Sequence, residues 1–243
     1  MDLRQDIWQQ SSGQQSLKDG EIHIWRANLN QESLSVQQFL KTLSADEKQK
    51  ADKYYFDKDR NHFIVARGTL RKILSGYLGI APNEICFAYN LFGKPILDVK
   101  NNQFRFNVSH SQGLALFAIT REREVGIDLE FIRSDFAVLK TAQSFFSEPE
   151  ISALKNLPTE LQTAAFFSIW TRKEAFIKAV GEGFSYPSTK FTVSIMPKNS
   201  HDLFRTREFQ KVRDWSLMIL SCQADYTAAL AIEGKIQTVS YWL

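Results

Sequence analysis

The segment "AAFFSIWTRKEAFIKAVGEG", residues 164–183, constrains this chain more than any other. Wound at roughly 100° per residue, it gathers Phe166, Ile169, Trp170, Phe176, Ile177 and Val180 into one apolar arc, so the helix must lie against a core. Lys173 falls inside that arc. A buried ammonium needs an anionic partner, so another element must bring an acid to this helix, and Glu150 in "FFSEPE" is the candidate. Trp170, Glu174 and Lys178 follow at i, i+4 and i+8 along the flank of the arc. On its own, Glu174 with Lys178 is an ordinary surface pair of about 0.2–0.5 kcal/mol.

A second segment gives that flank a different meaning. In "VGIDLE", 125–130, Val125, Ile127 and Leu129 alternate with Asp128 and Glu130, which predicts a half-buried strand carrying two acids on its other face. Side chains two residues apart on a strand sit about 7 Å from each other, so these acids need either a solvated edge or a cation between them. Were Glu174 to join them from the helix flank, three acids would suit a hard divalent ion shared with substrate phosphates.

The rest of the chain alternates in blocks. Residues 9–20, "QQSSGQQSLKDG", read as a polar loop or disordered lead-in, and "EIHIWRANL" as a first strand. Ser44 with Glu47 forms a capping box that opens one helix, and Phe63, Ala66, Leu70, Ile73 and Leu74 mark a second, ended by Gly76 or Gly79. Strands are expected around 84–89, 104–109, 114–119 and 124–130, helices at 135–145, 148–156 and 160–180, then closing strands in "KFTVSI", "WSLMIL" and "YTAALAI". Strand, helices and strands thus occur twice, which predicts an α+β fold of two similar halves meeting near residue 124. The expected divisions are a lead-in 1–20, an N-terminal half 21–123 and a C-terminal half 124–243.

At 243 residues the chain can bury a sizeable core, and its net charge of +3 is too small to imply nucleic acid or a membrane surface as partner. Any anion site must therefore be local. Cys86 and Cys222 belong to no C-x-x-C pattern, so neither a disulfide framework nor a zinc site is expected. No run approaches the ~18 apolar residues of a membrane span and the amino terminus has no apolar targeting core, so a cytoplasmic protein is expected.

Local anion contacts have three sources. "FNVSHS", 106–111, ends a strand with Ser109, His110 and Ser111. Adjacent strand residues point to opposite faces, so Ser109 and His110 cannot act as a nucleophile and its base, whereas hydroxyl, imidazole and free backbone N–H groups suit phosphate oxygens. "FGKPIL", 92–97, presents Lys94 on a glycine turn before a proline. Lys48, Lys50, Lys53, Arg60, Arg67, Arg71 and Lys72 make the first two helices basic, which fits a polyphosphate facing the acids.

"FGKPIL", "FNVSHS", "VGIDLE" and "FFSIWTRKEAFIKAVGEGF", in this order and at these spacings, closely resemble the 4′-phosphopantetheinyl transferase superfamily, over about residues 40–195. Length and layout resemble its two-half, surfactin-synthetase-activating type, a pseudo-dimeric monomer. The resemblance implies Mg²⁺-dependent transfer of the phosphopantetheine arm of coenzyme A to a serine of an apo acyl or peptidyl carrier protein, releasing adenosine 3′,5′-bisphosphate; Mn²⁺ is an alternative ion. It implies Asp128, Glu130 and Glu174 as metal ligands, Glu174 also as the base for the serine proton, and Lys178 on the pyrophosphate. Ser109, His110, Lys94, Lys50 and Arg67 are implied as coenzyme A contacts, with Glu47 where a related enzyme often has a basic residue. Trp170 and Lys173 match the structural members of "W-x-x-K-E". Leu129 fills the middle of the acidic motif and cannot be a ligand. Carrier docking is expected on exposed apolar side chains such as Phe145, Phe146 and the 112–114 turn. The non-enzymatic alternative is a coenzyme A or carrier-protein binding module.

Overall fold

The structure, a computed structural model, describes residues 8–11, 13, 15–195, 201–208 and 211–243. It runs β1 (Trp8–Gln9), β2 (Glu21–Asn28), α1 (Ser33–Leu40), α2 (Ala45–Ala51), α3 (Asp57–Leu78), β3 (Phe87–Tyr89), β4 (Pro95–Leu97), β5 (Phe104–Ser111), β6 (Leu114–Arg121), β7 (Val125–Phe131), α4 (Val138–Phe145), α5 (Glu148–Lys155), α6 (Thr159–Val180), β8 (His201–Glu208), β9 (Lys211–Leu220), β10 (Tyr226–Glu233) and β11 (Thr238–Trp242).

The α+β, two-half architecture is present. A five-stranded sheet ordered β1-β11-β2-β6-β5 carries the 22-residue α3, and a four-stranded sheet ordered β7-β10-β9-β8 carries the 22-residue α6. Each sheet–helix layer has its own core, around Ile64, Leu70 and Phe117 in the first and Phe166, Phe176 and Trp215 in the second. A third apolar layer, with Ile24, Leu116, Ile127 and Leu230, joins the two sheets.

Several local expectations change. The lead-in is partly structured: residues 1–7, 12 and 14 lie outside the described residues, but Trp8–Gln9 pairs with β11 and Leu17 is buried. The last strand also leaves its half, because β11 runs parallel beside β2 and closes the first sheet. Helix α1 and strands β4, β8 and β11 were not expected; β4 begins with Pro95, which fits an edge position in a two-stranded hairpin with β3. Helix α3 passes Gly76 and ends at Gly79, whose φ of 69° a left-handed cap requires.

"KFTVSI" is not a strand. Its backbone serves the buried pair instead: the Phe191 carbonyl accepts from Lys173 at 2.7 Å, and the Val193 N–H donates to Glu150 at 2.7 Å. Those two groups are bonded outside any ladder. Among the described residues no helix is long and apolar enough to cross a membrane.

Candidate active site

The site forms where α6 crosses β7. Gly126 allows this close approach: a Cβ there would lie 2.0 Å from the Ala175 carbonyl oxygen and 2.4 Å from the Ala179 nitrogen. The helix therefore rides directly on the strand backbone, and its flank brings Glu174 and Lys178 beside Asp128 and Glu130.

Asp128 is 3% exposed. Its Oδ1 accepts from Lys178 Nζ at 2.6 Å and from Ser109 Oγ at 3.0 Å, while its Oδ2 is buried with no hydrogen-bond partner. Glu130 accepts from Ser111 Oγ at 3.3 Å. Burial and then the charge of Asp128 push its carboxyl above the usual range, against opposing hydrogen bonds from Ser111 and Trp170 and the charge of Lys178. Glu174 is pushed up to about 7, first by burial and next by Asp128, with Lys178 pulling down and Glu130 adding to the rise. The three acids thus feel one another through space. Among the described residues no three metal-ligating side chains stand close enough together to grip one ion directly.

This donor set nevertheless fits a divalent cation. An orphaned buried carboxylate oxygen, two further acids driven toward protonation and one ammonium already bound form an arrangement short of positive charge. Hard oxygen donors of this type, few in number, match an ion that keeps waters and substrate phosphates in its remaining positions.

The implied coenzyme A contacts separate into two groups. His110 is exposed on the face of β5 opposite the buried Ser109, as strand alternation requires. Desolvation by crowding holds its imidazole below the ordinary range, with the charges of Lys178 and His62 acting in the same direction. It lines a hollow of about 250 Å³ with Tyr54, Lys58, His62 and Phe63. Lys50 lies with its ammonium 5.4 Å from the Phe63 ring centroid, beside the same hollow. A second hollow of about 260 Å³ is lined by Phe145, Glu174, Ile177, Lys178 and Tyr186.

Lys94, Arg67 and Ser109 are engaged within the protein. The Lys94 ammonium donates to Glu124 Oε2 at 3.0 Å and to the Ala179 and Val125 carbonyls at 2.9 and 3.4 Å, so its three protons are all used. It ties the "FGKPIL" turn to the end of α6. Arg67 donates to Glu47 at 2.5 Å and to the Tyr89 hydroxyl at 3.0 Å, and Glu47 also accepts from Arg71 at 2.7 Å. Burial alone would raise the Glu47 carboxyl, but Arg71 and Arg67 together hold it below the usual range. Arg67 and Arg71, one helical turn apart on α3, were the available sign that Glu47 would be a buried counter-ion. Ser109 accepts the Leu129 N–H at 3.1 Å and the Lys178 ammonium at 3.0 Å while donating to Asp128, which leaves little for a phosphate.

Lys173 and Glu150 pair as expected, at 2.8 and 2.9 Å, both nearly fully buried. Phe146 does not form a docking surface: it is buried, stacked on Phe166. Phe145 is partly exposed, edge-on to Trp170, while Leu114 of the 112–114 turn is buried.

A model of the 4′-phosphopantetheinyl transferase superfamily matches residues 124–231, and a model of the 4′-phosphopantetheinyl transferase N-terminal region matches residues 25–122. The chain is similar to the 4′-phosphopantetheinyl transferase HetI of Nostoc sp., with 36% identity over 242 residues covering 99% of each protein. It is also similar to the 4′-phosphopantetheinyl transferase Sfp of Bacillus subtilis, with 29% identity over 160 residues, 65% of this chain and 69% of that protein. The L-aminoadipate-semialdehyde dehydrogenase-phosphopantetheinyl transferase of Homo sapiens shares 26% identity over 172 residues, 66% of this chain and 55% of that protein.

Proposed function

Because the chain belongs to the 4′-phosphopantetheinyl transferase superfamily, and is therefore an enzyme that moves the phosphopantetheine arm of coenzyme A onto a carrier protein, we propose how its own residues do so. The serine hydroxyl of the apo carrier attacks the phosphorus that bears the pantetheine arm. That P–O bond forms as the bond to the bridging diphosphate oxygen breaks, and adenosine 3′,5′-bisphosphate leaves. The serine proton passes to a base on this chain.

Glu174 is that base: its carboxyl stands on the flank of α6 beside Lys178 and lines the same hollow, within reach of an entering hydroxyl. Lys178 sits one turn further along α6 with its ammonium on Asp128, and stabilises the negative charge that grows on the departing bisphosphate. Asp128, Glu130 and Glu174 would hold the divalent cation, Mg²⁺ in the first instance, with its retained waters completing the reach between carboxylates and ion. When bound, that ion neutralises the diphosphate and orients it for in-line displacement. His110 and Lys50 bind the nucleotide end of coenzyme A beside the Tyr54–Phe63 hollow. Both halves lie in one chain, and the enzyme acts as a monomer.

The observation that carries this reading is the buried Asp128 carboxylate, bonded through one oxygen to Lys178 and unpaired at the other, with two more acids raised beside it. Mass spectrometry of an apo carrier incubated with coenzyme A tests it. The carrier should gain one phosphopantetheine arm only when Mg²⁺ or Mn²⁺ is supplied. Turnover that survives chelation would refute the metal assignment, and coenzyme A binding without any transfer would favour the binding-module reading.

A further inference from the structure

Strands β5 and β7 belong to different halves and different sheets, and among the described residues no backbone ladder pairs them. Side chains take its place. Asn107, Ser109 and Ser111 occupy alternate positions on β5 and so share one face. Asn107 Oδ1 accepts the Ile127 N–H at 2.9 Å, Ser109 Oγ the Leu129 N–H at 3.1 Å, and Ser111 Oγ the Phe131 N–H at 3.1 Å. Both partners advance by two residues per bond in the same direction. The match is possible because each strand repeats every ~6.8 Å.

The two serines do a second thing that Asn107 does not. A hydroxyl accepting an N–H still has its own proton to give. Ser109 gives it to Asp128 and Ser111 gives it to Glu130, in each case the residue just before the amide it binds. Each serine therefore fixes one acid against the backbone of the strand that carries it.

Resting on the cation site proposed above, we propose that Ser109 and Ser111 are positioning residues: a side-chain ladder across the seam of the two halves sets the orientation of Asp128 and Glu130 for the divalent ion. Of the three residues Ser109, His110 and Ser111, His110, on the opposite face, is the one whose side chain meets coenzyme A. The serines act through the acids and touch no substrate.

Amide hydrogen exchange read by NMR tests the ladder itself, without ion or substrate. Ser109→Ala should speed exchange at Leu129, and Ser111→Ala at Phe131, by about tenfold or more, with Ile127 unchanged. Unchanged exchange at both amides overturns the ladder. Mn²⁺ half-saturation, measured by its EPR signal and again in carrier labelling, tests the positioning. Ser111→Ala should raise it about tenfold, within the usual range for a residue that orients a ligand, leave KM for coenzyme A at saturating Mn²⁺ within about twofold, and be rescued by Ser111→Thr. His110→Ala should show the reverse pattern. A raised coenzyme A KM with unchanged ion dependence in the serine variants would make them substrate contacts and overturn the proposal. Should Ser109→Ala not fold, Ser111, at the end of its strand, decides the question alone. If exchange responds while wild-type labelling proves independent of any divalent ion, the cation site fails and the ladder stands.

Discussion

Two neighbouring residues of α6 meet buried charge in opposite ways. Lys173 points into the second core, where Glu150 takes its ammonium with both oxygens, Phe191 supplies a carbonyl and Val193 returns an N–H to the acid. Glu174, the next residue, faces two acids and one lysine, and beside it an oxygen of Asp128 has no partner at all. The first arrangement is complete, the second is not. A complete buried pair leaves no charge unanswered, whereas an incomplete one stores a demand for a ligand of opposite charge.

The contrast is broken most forcefully at Glu150. Glu150→Gln should cost about 3–5 kcal/mol, because Lys173 is left buried without a counter-ion; urea unfolding reads this, and a loss under about 1 kcal/mol would mean the pair is not what it looks like. Asp128→Asn should do the reverse, lowering carrier labelling by about 10²–10³-fold with little change in the urea midpoint. Gly126→Ala sits between the two regions. Its methyl would collide with the α6 backbone, so stability should fall by about 1–3 kcal/mol and labelling should fall with it, as Glu174 is pushed from the strand; unchanged melting would show that the close crossing is not required.

The completed charges also carry a pH signature. Glu47 is held below its ordinary 4.5 by Arg71 and Arg67, so its contribution is present above about pH 4.5 and is lost as pH falls through its lowered folded value. Glu47→Gln should thus lie below wild type at pH 7 and approach it in acid. Parallel curves across pH 2 to 7 would contradict that origin.

Much of this was legible in the residues themselves. The apolar arc with Lys173 inside it predicted a buried acid, and the alternation in "VGIDLE" predicted a strand with two carboxylates on one face. What escaped were consequences of pairing. "KFTVSI" has strand composition, but two of its backbone groups belong to the Glu150–Lys173 pair. The last strand crosses back to β2, a non-local contact that no local pattern encodes. That Lys94 and Arg67 already hold acids was not legible locally, because a free cation and a paired one look alike until Glu124 and Glu47 are located in space.

The central claim is that Asp128, Glu130 and Glu174 together form a place for one divalent ion on bound coenzyme A. Titration of Mn²⁺ into the protein with coenzyme A, followed by the loss of the free-ion EPR signal, measures this directly. One ion per chain in wild type, with affinity weakened at least tenfold in each of Asp128→Asn, Glu130→Gln and Glu174→Gln, is the predicted result. Equal affinity in wild type and all three variants would contradict it.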